Sequence, residues 1–409
     1  MGGWRDLTAK GWRRPEILLL LFAAAAPLSF STWQALLNNF AIERAAFTGA
    51  EMGILQSLRE VPGFLAFAVV FVLLIIREQN LAYLSLLLLG LGTAATGFFP
   101  SVVGLYVTTV VMSLGFHYFY TLERSLTLQW IDKERTPEMM GRMIAAASVA
   151  SILTYGLIWL AFDLADLDFT YVYLLGGGAT VAVALMAWIA FQRFPERVQQ
   201  HRHMVLRRRY WLYYALSFMS GARRQIFIVF AGFLMVEKFG YPVDQITLLF
   251  LINAVINIIL APRIGRLIAR WGERRALLCE YAGLIGVFTA YAFVENAIVA
   301  AGLYVVDHLF FALAIALETY FQKIADRRDI AATAGVSFTI NHIAAVIIPA
   351  AFGFVWLISP AAVFIAGAAM AAVSFLLSLN VPVRPRPGEE VLWGRRLSGR
   401  ADLGPSTIV

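Results

Sequence analysis

The sequence predicts an all-α membrane protein of twelve transmembrane helices in two pseudo-symmetric six-helix bundles. Three observations carry that prediction. Helix-length apolar segments fill almost the whole chain: 60% of the 409 residues are hydrophobic and only 14% are charged, whereas a soluble domain is about a quarter charged. The connections between segments alternate between strongly basic and neutral-to-acidic. The second half of the chain repeats landmarks of the first in the same order.

A bilayer core takes about 20 apolar residues as helix. Residues 1–16 read as a cytoplasmic N-terminus ending in Arg13-Arg14, and α1, Ile17–Ile42, follows. The basic pair and Ile17–Phe22 imitate a signal peptide, but the apolar run continues too far for one and reads as an uncleaved span. α2, Met52–Ile76, stops at Arg77, and α3, Leu81–Phe99, at Pro100. α4, Val102–Trp130, stops ahead of Lys133 and Arg135, and α5, Met140–Phe162, at Asp163. α6, Tyr171–Phe191, holds Gly176–Gly178, which with the Ala-rich α5 predict close helix packing. Residues 17–192 form the first bundle and 193–209 a basic cytoplasmic linker. The second bundle, 210–380, comprises α7 Tyr210–Val236, α8 Ile246–Leu260, α9 Ala276–Val294, α10 Ala297–Ile324, α11 Ala331–Leu357 and α12 Ala361–Leu379. Residues 381–409 are polar and rich in Pro, Gly and Arg, which predicts a disordered cytoplasmic tail.

Charge sets the orientation. One set of connections holds Arg13-Arg14, Arg77, Lys133/Arg135/Arg142, the run Arg193 to Arg209, Arg263 to Arg275, and Lys323/Arg327/Arg328. The other holds Glu43/Arg44, Asp163/Asp166/Asp168, Glu237/Lys238/Asp244 and Glu295. Basic loops stay inside, so both termini are expected in the cytoplasm, with the compact loops favouring a bacterial-style inner membrane. The same distribution explains the net charge of +7 without a nucleic-acid partner. The single Cys279 excludes a disulfide framework and a cysteine-based zinc site. No Walker P-loop pattern is present, so ATP-driven transport is not indicated, and neither a cofactor nor a metal is expected.

The internal repeat is legible in three places. Ile42-Glu43-Arg44, Phe47 and Leu55 align without gaps on Val236-Glu237-Lys238, Tyr241 and Leu249. Gly104-Leu105-Tyr106-Val107 aligns on Gly302-Leu303-Tyr304-Val305, and Gly156 with Trp159-Leu160 reappears as Gly353 with Trp356-Leu357. The matches set α1 on α7, α4 on α10 and α5 on α11, a parallel repeat of the kind found in two-half secondary transporters.

Over residues 15 to 380 the chain resembles the major facilitator superfamily, with no subfamily singled out. The most specific local piece is the loop after α8, Gly265-Arg266-Leu267-Ile268-Ala269-Arg270-Trp271-Gly272-Glu273-Arg274-Arg275. It is similar to the family's cytoplasmic signature loop, with Ala269 at the acidic position, and the loop after α2 around Arg77 to Asn80 lacks the pattern. The resemblance implies a gating role for Gly265, Arg270 and Gly272. It also implies that α1, α4, α7 and α10 line a central cavity, that α2, α5, α8 and α11 flank it, and that the remaining helices face lipid. The polar residues agree: α3, α6 and α12 carry no charge in their spans, and α9 carries only Glu280.

Charges inside a bilayer are costly and mark function by default. On α10, Asp307, Phe311, Ala314, Glu318 and Gln322 recur at helical period and predict one stripe. His117, Tyr120 and Arg124 do the same on α4, and Tyr213, Ser217, Ser220 and Arg224 on α7. That face ranks Arg224 above Arg223. At about 1.5 Å per residue, Arg224, His117, Asp307 and His342 fall near mid-depth, with Arg124 and Glu318 nearer the cytoplasm. The expected substrate-binding residues are Arg224, Arg223, His117, Tyr120, Asn38, Gln34, Asn341 and Asn257. The expected proton-coupling carboxylates are Asp307, Glu318 and Glu60, and Arg124, Glu123 and Arg59 join the gating set.

Each assignment has a plainer alternative. The carboxylates can be permanently paired with Arg59, Arg124 or Arg224, and Arg124 can pair with Glu123. His117, His308 and His342 can be hydrogen-bonding packing residues. The paired arginines point to a small organic anion, since guanidinium matches carboxylate and phosphate, carried by alternating access in a monomer, with protons as the candidate coupling ion. Aromatics such as Tyr118, Phe119, Phe310 and Phe311 keep open an exporter of amphipathic drugs or lipids, and a membrane sensor or scaffold is the alternative of another class. No enzymatic activity is expected.

Overall fold

The computed structural model describes residues 13–132, 135–195, 207–326 and 330–393. Lys133, Arg327, Arg328, most of the 193–209 linker and residues 394–409 lie outside that set. Among the described residues the chain is helical, with one isolated bridge, Arg386 to Glu389. Ten of its helices are long and apolar enough to cross a membrane. The two predicted spans outside this group are α2, which is broken, and α3, which opens on Glu78, Gln79 and Asn80.

The observed elements are α1 Pro15–Ala45, α3 Glu78–Thr96, α4 Val102–Trp130, α5 Thr136–Asp163 and α6 Phe169–Ala190. α2 runs Gly49–Phe64, tightens to a 3-10 turn at Ala66–Ala68 and ends as Val69–Val72. α7 runs Trp211–Ile226, passes through a π-helical turn at Phe227–Ala231 and finishes at Gly232–Glu237. Then come α8 Val243–Trp271, α9 Glu273–Phe293, α10 as Ala297–Phe311 and Ile315–Ile324, α11 Ile330–Ile358 and α12 Pro360–Ser378. Local chemistry sets the starts: Ser101, Asp168, Asn296 and Ser359 accept backbone N–H groups at the heads of α4, α6, α10 and α12. α8 outruns its predicted end at Leu260 because the basic stretch beyond it stays helical up to Gly272, whose φ of +81° suits glycine alone.

The chain divides into two compact units. The first holds Met1–Phe47, Leu58–Gln199 and Tyr241–Ala254; the second holds Thr48–Ser57, Gln200–Gly240 and Val255–Val409. The leading portions of α2 and α8 group with the other unit from the rest of their helices. Within the first unit α3 packs on α4 and α6, and α1 on α5 and α6. Within the second, α9 packs on α10 and α12, and α7 on α11 and α12. These are the same pairings shifted by one repeat. Glycine brings backbones together in lipid, where close packing replaces the hydrophobic drive. A Cβ on Gly115 would lie 2.3 Å from Leu89 N, and one on Gly177 2.3 Å from Ala94 N. Gly176 is equally tight against Thr32, while Gly178 faces open space.

The expected disorder after Asn380 does not extend over 381–393. Val381 and Val391 are buried with Tyr320, Phe321 and Ile324. Tyr320 Oη donates to Glu390 O at 2.6 Å, and the Asn380 side chain accepts from Trp393 N at 2.6 Å. A turn at Gly388, φ +84°, closes the strap. The composition is polar, but the apolar residues of this segment are spaced to fold onto the C-terminal end of α10.

Candidate functional site

In the first unit, an ionic cluster forms where α2 meets α4. Arg59 pairs with its neighbour Glu60, and Glu60 Oε2 lies 3.8 Å from His117 Nε2. Ser113 Oγ donates to Arg59 O and sits 3.0 Å from His117 Nδ1. The Arg59 guanidinium lies 5.8 Å from the Trp33 ring centroid on α1. Aromatic rings run beside this cluster: Phe30 stacks on Phe116 at 4.4 Å, and Phe116 meets Tyr120 edge-on at 4.7 Å. Tyr120 is exposed, Asn38 is buried and Gln34 half-buried on α1. Arg124 is exposed while Glu123 is buried with Oε1 unpartnered, so the expected Glu123–Arg124 pair does not form. Adjacent helical residues point about 100° apart, which separates them.

Three charged residues of the second unit are completely buried. Arg223, Glu280 and Asp307 are each 0% exposed. Arg223 Nη2 donates to Glu280 Oε1 at 2.9 Å. Its guanidinium lies 4.8 Å from the Tyr281 ring centroid and 5.6 Å from that of Phe311, within the range of cation–π attraction. Arg223 and Glu280 both act electrostatically on Asp307, yet neither Asp307 oxygen has a hydrogen-bond partner among the described residues. Glu280 Oε2 and Arg223 Nε and Nη1 are likewise unpartnered.

Arg223 and Asp307 are both fully buried in the second unit, with no ion pair between them. The ranking of Arg224 over Arg223 reverses for the buried cluster: Arg224 is exposed, and Arg223 lies on the packed face with Leu216 and Phe227. The predicted α10 stripe splits, with Asp307 buried and Glu318 and Gln322 exposed. The 3-10 turn at Ala312–Ala314 is the cause; three residues at 3.0 per turn instead of 3.6 rotate the continuation by about 60°. Glu280 is the buried charge that sequence reasoning does not bring into the site, because the resemblance sets α9 facing lipid. Its signal was its isolation as the only charge in that span, since a charge there requires a partner.

The other assigned residues are dispersed. Tyr213 Oη donates to Ser337 Oγ at 3.1 Å, and Ser337 Oγ to Ser217 Oγ at 3.3 Å, which ties α7 to α11. Asn341 is half-buried beside Gly221, where a Cβ would lie 2.3 Å from Asn341 Oδ1. Asn257 and Arg270 are exposed and Gly265 has open space around it. In the signature loop the ionic contact is made by Glu273, not at position 269: Glu273 is buried and its Oε1 lies 2.5 Å from Lys323 Nζ on α10. His308 Nδ1 donates to Tyr304 O at 2.9 Å, the arrangement of a packing histidine.

Comparison with known proteins converges on one family. The chain matches the family model of the Major Facilitator Superfamily over residues 17–349 and 213–401. No curated protein matches its sequence. Among solved structures it is similar to the nucleoside transporter NupG, with a TM-score of 0.71 at 13% identity, covering 89% of this chain and 98% of that one. A point mutant of NupG superposes with a TM-score of 0.74 at 12% identity, covering 90% and 99%. A bacterial homologue of the human lysosomal transporter Spinster, inward-facing and occupied, gives 0.68 at 12% identity, covering 89% and 95%. The helical architecture, the repeated pairings and the buried charges therefore have one common origin: the chain belongs to the Major Facilitator Superfamily.

Proposed function

We propose that this transporter carries a small organic anion across a bacterial-type inner membrane by alternating access, coupled to protons, with both termini in the cytoplasm. The observation that carries the proton coupling is the carboxylate of Asp307, fully buried and without a hydrogen-bond partner among the described residues, beside a buried Arg223–Glu280 pair. Such a group is stable when protonated and costly when charged. Arg223 is sealed against Glu280, so Arg224, exposed on the same helix, is the guanidinium for the solute. His117, Tyr120, Asn38, Gln34, Asn341 and Asn257 supply the polar contacts.

Uptake of labelled organic anions into proteoliposomes under an imposed pH gradient tests this reading. Arg224→Ala removes a charge-assisted contact of roughly 1.5–3 kcal/mol, so uptake of the preferred anion is expected to fall about 10- to 100-fold. Unchanged anion uptake by that variant overturns the site assignment, and indifference to the gradient overturns the coupling. A second reading has its own observation: the Phe30–Phe116–Tyr120 ring cluster beside an exposed Tyr120 suits an amphipathic or aromatic solute. The nucleoside transporter among the structural neighbours carries such a solute. Competition by neutral aromatic solutes with intact Arg224-independent transport would favour it.

A further inference from the structure

We infer that Glu280 and Asp307 share a single proton, so that the proton site spans α9 and α10 with Arg223 of α7 as its counter-charge. What the proton is used for rests on the proton-coupled reading above; its presence does not. The argument is one of charge and of geometry. One guanidinium and two carboxylates, all fully buried, sum to one uncompensated negative charge. The elements around the cluster bring no second cation to it. α7 adds only Arg224, which is exposed; α10 adds His308, committed to Tyr304 O, and Lys323, paired with Glu273; α9 adds Arg274 and Arg275 in its first turn, neither of them ion-paired with Glu280 or Asp307. The only titratable side chain of α11 is His342, and α12 has no charged residue. Tyr281 of α9 presents its ring to the guanidinium. A low-dielectric interior does not tolerate a net charge of this kind, and binding one proton removes it.

The geometry favours a proton over a metal ion. Three carboxylate oxygens are unpartnered, Glu280 Oε2 and both oxygens of Asp307. Hard metal cations take six or more oxygens, and the guanidinium already occupies the remaining one at 2.9 Å. A proton needs a single oxygen. The same geometry supports sharing. Arg223 uses Nη2 on Glu280 and keeps Nε and Nη1 unpartnered. With the proton on Asp307, the Arg223–Glu280 pair persists; with the proton on Glu280, the guanidinium charge is left to balance Asp307 through space, without a hydrogen bond to it. Both states have zero net charge, so the two carboxyls titrate as one coupled unit. The helices that carry Arg223 and Asp307 are irregular close by, at Phe227–Ala231 and Ala312–Ala314, where π and 3-10 turns permit adjustment.

The charge count gives a test that needs no solute. Buried protonated carboxyls are counted from the deuterium-sensitive carbonyl stretch in infrared spectra of the purified full-length protein at neutral pH. Asp307→Asn leaves Arg223 with Glu280, and Glu280→Gln leaves Arg223 with Asp307; both clusters are neutral without a proton. Each variant is expected to lose one whole protonated carboxyl relative to wild type. Arg223→Gln leaves two carboxylates and no cation, so it is expected to gain one. Retention of the wild-type band in Glu280→Gln, with its loss in Asp307→Asn, would assign the proton to Asp307 alone and overturn the sharing. No loss in either variant would overturn the site itself. Gradient-driven uptake is read separately on the same variants. The expected bands together with uptake indifferent to pH would therefore sink only the coupling reading.

Discussion

Asp168 shows at the scale of one residue how loop chemistry fixes a span. Its side chain accepts the Thr170 N–H at 2.9 Å, starting α6, and pairs with Arg44 of α1 at 2.6 Å. The hydrogen bond to the Thr170 backbone first, and the Arg44 charge after it, hold this carboxyl below the ordinary aspartate range. A depressed folded pKa contributes stability that is present above the unfolded value of about 3.9 and is lost as pH falls through the folded one. Asp168→Ala is expected to cost about 1 kcal/mol at neutral pH, the usual worth of an N-cap, and the half-exposed Arg44 pair adds little. Thermal unfolding should show the difference from wild type shrinking in acid; a difference independent of pH would refute the assignment. The buried charges teach the complementary lesson. Their residue types and depth were visible in the sequence, since lipid makes every charge conspicuous. Which of Arg223 and Arg224 is buried was not, because one step along a helix turns the side chain by about 100° and only the partner helix decides between them.

At the scale of elements, the long spans α1 and α4 to α6 were legible because length and hydropathy alone determine them. The irregular ones were not. Ala312–Ala314 and Phe227–Ala231 are ordinary apolar sequence, and their 3-10 and π turns answer to packing. The strap at 381–393 was hidden for a different reason, its polar average concealing two valines that are buried. Val391 joins the core formed by Tyr320, Phe321 and Ile324, and the next residue, Leu392, donates its N–H to Asn380 O at 2.9 Å. Val391→Ala is therefore expected to cost about 1–2 kcal/mol, from two buried methyl groups and the cavity they leave. Val391→Asp is expected to cost more, through a buried unpaired charge. Melting of the detergent-solubilised protein measures both. If neither variant lowers the melting temperature, the strap contributes nothing to the second unit.

At the scale of the whole molecule, the helix pairings repeat between the two units but the ionic groups do not. The register that sets Ile42 on Val236 sets Ser29 on Arg223, and the one that sets Gly104 on Gly302 sets Thr109 on Asp307. Ser29 donates to Thr180 Oγ1 at 2.7 Å, so the first unit packs the corresponding positions with neutral side chains. The architecture thus does not require charge there. Replacing a buried ion pair by apolar residues of similar volume is often neutral or stabilising by about 1–4 kcal/mol, whereas removing one partner alone costs about 3–5 kcal/mol. The triple variant R223M/E280M/D307L is accordingly expected to melt at or above the wild-type temperature, and Arg223→Ala well below it. If the cluster is retained for coupling, the triple variant should also lose gradient-driven uptake while exchange of solute across the membrane persists, because exchange needs no net proton movement. A triple variant as unstable as Arg223→Ala would show instead that the cluster holds α7, α9 and α10 together. A stable one with unimpaired gradient-driven uptake would place the coupling proton elsewhere, with Glu60 beside His117 in the first unit as the next carboxylate to test.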